Sequence, residues 1–92
     1  MKELYIPIDI ERISFYLSAG IIKPDKNFKK SIDDIQSKFK NIIIATSDKT
    51  LIGNSNCLIS VVLEDSEYQS LDNDLYAINS IPISRIKYIY LK

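Results

Sequence analysis

The chain has 92 residues, of which 46 % are hydrophobic and 26 % charged, enough for one globular core and too few for two. Twelve basic and twelve acidic residues cancel, so no global positive field draws it to nucleic acid or anionic lipid, and nucleic acid is an unfavoured partner. With no histidine and a single cysteine, the Ser-His-Asp and Cys-His nucleophile systems, the common zinc sites and any intrachain disulfide are excluded.

No apolar run approaches the roughly 20 residues that span a bilayer, and Met1-Lys2-Glu3 does not open a signal peptide, so a cytoplasmic, reducing location is expected without membrane attachment. Leu4-Tyr5-Ile6 reads as a short strand closed by Pro7 and, from its N-terminal place, as a sheet edge. Asp9 is placed to cap a helix in which Ile10, Ile13 and Leu17 form an inward stripe with Tyr16 beside them. Arg12, Ser14 and Ser18 fall on the solvated side, and Gly20 stops the helix.

Ile21-Ile22 leaves the helix extended, because Pro24 forces Lys23 out of the helical region. Lys26, Lys29 and Lys30 then form the one basic cluster. It reads as a solvated loop, with a phosphate or acidic partner as the sharper alternative. Ser31 can cap a second short helix from Ile32 to about Phe39, with Asp33 and Asp34 in its first turn serving the helix dipole rather than a metal.

Asn41 to Thr46 has high β-propensity and reads as a strand beside the central one. Ser47 to Asn56 is a loop with Gly53 and Asn54 supplying its turn. Cys57-Leu58-Ile59-Ser60-Val61-Val62-Leu63 is the central strand, an uncharged run interrupted only by Ser60, and Cys57 reads as a small core residue rather than a reactive thiol. Glu64-Asp65-Ser66-Glu67 opens a helical turn running to about Leu71, Asp72-Asn73-Asp74 is a turn, and Leu75 to Ile78 is a further strand ended by Asn79-Ser80. Pro82 fixes an extended lead-in, Ser84 can cap a single turn, and Lys87 to Leu91 alternates as a half-buried strand with Tyr88 and Tyr90 on one face and Ile89 and Leu91 on the other. The sum is a single α+β domain over 1–92: a mixed, mostly antiparallel sheet of four to five strands with two to three short helices on it.

Three constellations could carry chemistry. Six tyrosines and no tryptophan offer rings on which a base could stack. Tyr5, Tyr16, Tyr76, Tyr88 and Tyr90 nevertheless sit inside apolar elements, where the rim of the core is the plainer placement. Glu64, Asp65 and Glu67 could bind a metal or act as acid and base, but acids at a strand-to-helix junction ordinarily cap the helix, so no metal site is assigned. Arg85 can grip a carboxylate or phosphate, with a surface ion pair as its plainer role.

The order of strand, Asp-capped helix, Ala19-Gly20-Ile21-Ile22, strand pair and then Ile81 to Ile89 resembles the N-terminal part of the DarT-type ADP-ribosyltransferase folds of bacterial toxin and phage-defence proteins. That resemblance implies a nicotinamide nucleotide held by an aromatic-histidine pair and a threonine near the first strand, with a later glutamate effecting transfer. Tyr5 matches the aromatic position, while Ile6 and Ile8 stand where the histidine and threonine would be. It also implies a degenerate relative or the N-terminal module of a longer protein.

With catalytic residue types missing, several apolar strands and a zero formal charge that does not oppose self-association, the sequence favours a non-enzymatic module of a bacterial or phage protein, set in phage defence or counter-defence. Such a module binds a protein partner or itself through Tyr5, Tyr16, Thr46, Arg85, Tyr88 and Tyr90, and needs no cofactor. The alternative is a degenerate ADP-ribosyltransferase-like domain that handles nucleotides with Tyr5, Thr46 and an acid such as Glu64. Nucleic-acid binding through Lys26, Lys29 and Lys30 with Arg85 and Lys87 ranks last.

Overall fold

A computed structural model describes residues 1–24, 42–48, 56–72 and 74–91. In chain order these form strand β1 (Lys2–Pro7), helix α1 (Ile10–Ala19), β2 (Ile21–Ile22), β3 (Ile43–Thr46) and β4 (Cys57–Leu63). A 3-10 turn (Asp65–Glu67), β5 (Gln69–Asp72), β6 (Leu75–Ile78), β7 (Ile81–Pro82), a second 3-10 turn (Ile83–Arg85) and β8 (Ile86–Leu91) follow. Six strands make one sheet in the order β5-β6-β3-β1-β4-β8, and β2 pairs with β7 in a small second sheet. The expected α+β class is therefore what forms, with six strands in the main sheet and every described pairing antiparallel.

The sheet closes because alternation sorts its residues. Leu4, Ile6 and Ile8 of the first segment, Ile43 and Ala45 of β3, Ile59, Val61 and Leu63 of β4, and Tyr76 and Ile78 of β6 share one buried cluster with Tyr16 of α1, Ile22 and Ile81. Asp9 Oδ1 accepts from the Glu11 N–H at 3.0 Å, and Asn56 Oδ1 accepts from that of Ile10 at 3.2 Å. Two orphan donors at the start of α1 are thus satisfied. Gly20 ends the helix at φ 80, where its N–H bonds to the Tyr16 and Leu17 carbonyls.

Several expectations are corrected by long-range pairing. β1 is not an edge: it lies between β3 and β4, and β3 therefore adjoins β1 rather than the Cys57–Leu63 strand. The Ile8 N–H donates to the Cys57 carbonyl, so by alternation the even residues of β1 bond to β4 and the odd residues turn toward β3. The donor that Pro7 lacks is on the β3 side, where the ladder among the described residues is the pair Tyr5↔Thr46. Proline is tolerated in an interior strand because it sits where pairing has already ended.

In α1 the inward residue is Tyr16, 1 % exposed, whereas Ile10 and Leu17 are exposed at 38 % and 40 %. Arg12 is not solvated as expected; its guanidinium lies 4.4 Å from the Phe15 ring centroid and 5.6 Å from that of Tyr16. The turn after β4 stops at Glu67, and Gln69–Asp72, read as its continuation, is an edge strand paired with β6. Ser84 lies inside its 3-10 turn, whose cap position is Pro82, and β8 is an outer strand exposed on both faces rather than half-buried. The helix expected over Ile32 to Phe39, the Lys26, Lys29 and Lys30 cluster, Asn41, most of the Ser47–Asn56 loop and Asn73 lie outside the described residues.

Candidate functional site

The register of the sheet brings several of the predicted residues together. Thr46 pairs with Tyr5, Tyr5 with Ser60, and Ser60 with Tyr88, so the four side chains form one row across β3, β1, β4 and β8. All four stand on the face opposite the Leu4, Ile6 and Ile59 cluster. Tyr5 and Ser60 occupy a non-hydrogen-bonded position of the β1/β4 ladder, where facing Cα atoms approach to about 4.5 Å and side chains lie closest. Tyr90 is two pairs further along on the same face, opposite Leu58, and its ring centroid is 5.9 Å from that of Tyr88 at an interplanar angle of 45°.

An acid joins this row. Glu3 precedes Tyr5 by two residues and so shares its face, opposite Val62 and diagonal to Ser60. The Ser60 hydroxyl donates to Glu3 Oε2 at 2.5 Å, a charge-assisted bond at the short end of the normal range. Ser60 is fully buried, so its hydroxyl needs a partner, and Glu3 supplies it while keeping a third of its side chain in solvent. Lys87 Nζ lies 4.0 Å from the same carboxylate oxygen and 5.5 Å from the Tyr88 ring centroid.

This face can do three things chemically. It presents a carboxylate held by a hydroxyl, two aromatic rings with polar tips, and an ammonium within reach of both. A carboxylate so placed can stabilise developing positive charge or accept a proton, and the rings offer stacking area for a flat heterocycle.

The other predicted residues are placed elsewhere or committed locally. Tyr16 is buried under the opposite face and presents no surface. The Thr46 hydroxyl accepts from the Asp48 N–H at 3.0 Å and donates to the Asp48 carbonyl at 3.3 Å, so it holds a turn. Arg85 pairs with Glu67 at 3.1 Å, the surface ion pair expected as its plainer role. The three acids act locally as well: Glu67 Oε1 accepts from the Glu64 N–H at 2.9 Å, and Asp65 Oδ1 accepts from the Tyr68 hydroxyl at 2.9 Å. That last bond favours the protonated phenol and, as the largest cause, raises the Tyr68 pKa above its ordinary value. Among the described residues no cluster of acids, histidines and cysteines could hold a metal.

Glu64, the acid offered for a nucleotide enzyme, lies beyond the Lys2↔Leu63 pair, while Tyr5 is opposite Ser60. Glu3, two residues before Tyr5 on the same face, is the acid that stands beside it. It was legible from the period of two that puts residues 3 and 5 on one face, as was Ser60, the one polar residue inside the apolar run.

A concavity of about 450 Å³ opens along β5, lined by Glu67, Tyr68, Gln69, Leu71, Ala77 and Asn79 among others. Beside it, Lys2 Nζ donates to the Tyr76 hydroxyl at 2.7 Å, which raises the Lys2 pKa, and the Tyr68 and Tyr76 rings meet edge to face at 5.4 Å. Cys57 is buried, and desolvation pushes its thiol pKa up, as a core residue requires.

Fold and face together define a small α+β domain whose main sheet covers its core on one side and carries an acid, a hydroxyl and tyrosines on the other. The model of the 2-component system ADP-ribosyltransferase domain matches residues 3–92, and the chain belongs to that family. No curated protein and no solved structure matches it. Membership in an ADP-ribosyltransferase family overturns the reading of a non-enzymatic module that works by contact alone. No helix among the described residues is long and apolar enough to cross a membrane.

Proposed function

We propose that the Glu3, Tyr5, Ser60 and Tyr88 face binds a nicotinamide dinucleotide and serves ADP-ribosyl transfer. The observation that carries this reading is the Glu3 carboxylate, anchored by the Ser60 hydroxyl within a row of tyrosines. In the transfer, the bond between the ribose anomeric carbon and the nicotinamide nitrogen breaks, nicotinamide leaves with the bonding pair, and an acceptor forms the new bond while losing its proton. The anomeric carbon turns electron-poor as the leaving group departs, so a fixed carboxylate beside it lowers the barrier and can take the acceptor's proton. Tyr5 and Tyr88 would stack on the heterocycles. The dinucleotide is consumed as a substrate, so no resident cofactor is required.

The finer likeness to DarT-type folds places a histidine and a threonine at positions 6 and 8. Ile6 and Ile8 point into the core here, at 0 % and 2 % exposure, on the side of β1 away from Tyr5. Nucleotide contacts in this chain therefore fall to the odd-numbered side of the strand, starting with Glu3.

Calorimetric titration with NAD, followed by chromatographic detection of released nicotinamide, tests the proposal. Binding by the wild-type chain is expected, with Glu3→Gln retaining the fold and losing release by about a hundredfold or more. No heat at millimolar NAD, or unchanged release in Glu3→Gln, contradicts it.

A further inference from the structure

We propose that Lys87 is the anion-binding residue of this face and takes the phosphates of the bound nucleotide, so that the domain selects phosphorylated over unphosphorylated ligands. The inference rests on the nucleotide reading above and adds which part of the ligand is read, and by what.

The sheet is irregular beside this face. Ser60 pairs with Tyr88, but the next residue of β4, Val61, pairs with Ile86, so Lys87 has no residue opposite it. A bulge of this kind breaks the alternation that would otherwise fix a side chain's face, and re-aims it. Here it brings the Lys87 ammonium to the Glu3 and Tyr88 side of the sheet, 4.0 Å from Glu3 Oε2 and 5.5 Å from the Tyr88 centroid. Without the extra residue the strand would continue in register and the cation would not be directed there by the backbone.

The contact to Glu3 is at the outer limit of an ion pair and beyond hydrogen-bond length, and 48 % of the Lys87 side chain is exposed. Three N–H donors on a flexible stem therefore remain available to an incoming phosphate. Lys2 donates to Tyr76, Arg85 holds Glu67, and Arg12 stacks on Phe15 and Tyr16, whereas Lys23 follows β2 and belongs to neither the main sheet nor α1. A phosphate on Lys87 and a ring on Tyr88 would be held by adjacent residues of one strand, beside the carboxylate assigned to the reacting ribose.

The test compares ligands with and without phosphate on one variant. Titrations of NAD, ADP-ribose and nicotinamide riboside into wild type and Lys87→Gln are expected to show NAD and ADP-ribose weakened about tenfold or more, with the riboside unchanged. Lys87→Arg should retain most of the affinity, and the salt dependence of NAD binding should flatten in Lys87→Gln. Equal losses for NAD and the riboside, or no loss for either, overturn the assignment of Lys87 while leaving the nucleotide reading in place. Absence of any NAD binding by wild type overturns both. A thermal melt matched to wild type confirms that the variant, altered at an exposed position of an outer strand, remains folded.

Discussion

The two faces of the main sheet are built from the same strands, yet they are held together differently. On the α1 side, Leu4, Ile6, Ile59 and Val61 are at 0 % exposure among other aliphatic residues, and their contribution is burial. On the other side, Glu3, Tyr5, Ser60 and Tyr88 combine a charge-assisted hydrogen bond, aromatic area and an ion at 4.0 Å, with Tyr88 itself 53 % exposed. One step along β1 separates a core residue from a site residue. Substitutions on the first face should therefore fall mainly on stability, and those on the second should cost less stability and fall mainly on the proposed function.

The largest effect belongs to the packed face. Ile6→Ala removes buried methyl and methylene groups from the middle of the cluster and should cost about 2–5 kcal/mol of unfolding free energy in a urea titration. Ser60→Ala, on the other face, should cost about 1–2 kcal/mol, because Glu3 loses its donor but can still reach water. A Ser60→Ala loss as large as that of Ile6→Ala would mean that the polar row is structural, and the comparison would collapse. Gly20→Ala should cost about 1 kcal/mol: a Cβ there meets nothing within 4 Å, so the penalty is the left-handed conformation alone. Replacing Asp9 by alanine should cost about as much, roughly 1 kcal/mol, by removing the cap of α1.

The smallest effect is on titration. The Tyr68 pKa is raised by its bond to Asp65, so the bond's contribution is present below the unfolded tyrosine pKa and is lost as pH rises through the folded one. Spectrophotometric titration should show one tyrosine ionising later in the wild type than in Asp65→Asn. Identical curves would remove the contact.

How much of this was open to sequence reading depended on range. Asp9 and Gly20 mark the ends of α1 within a dozen residues of each other, and Cys57 to Leu63 carries its strand in its own composition, so both elements form where the local signals put them. Sheet position is different: β1 becomes interior because residues 2–7 pair with residues 58–63, a contact across more than half the chain that no local pattern encodes. β5 is equally hidden, since Gln69-Ser70-Leu71-Asp72 has no apolar alternation and is held at the edge by β6. The helix stripe holds only at Ile13, which packs against the core; Ile10 and Leu17 fit the same 3.6-residue period but are exposed, because the largest residue, Tyr16, takes the buried position. In the site, Tyr5 and Tyr88 stood out as aromatic residues in strands. Glu3 does not stand out because the apolar strand signal begins at Leu4, and Lys87, named only beside Arg85 as a nucleic-acid contact, cannot be placed next to Glu3 because a bulge is not visible before the partner strand is known.

The most direct test of the account is a ¹H–¹⁵N correlation spectrum of the whole chain titrated with NAD. Shifts are expected at Glu3, Tyr5, Ser60, Lys87 and Tyr88, with the amides around Glu67 to Gln69 at the β5 concavity unmoved. Shifts confined to that concavity, or none at millimolar NAD, would contradict it.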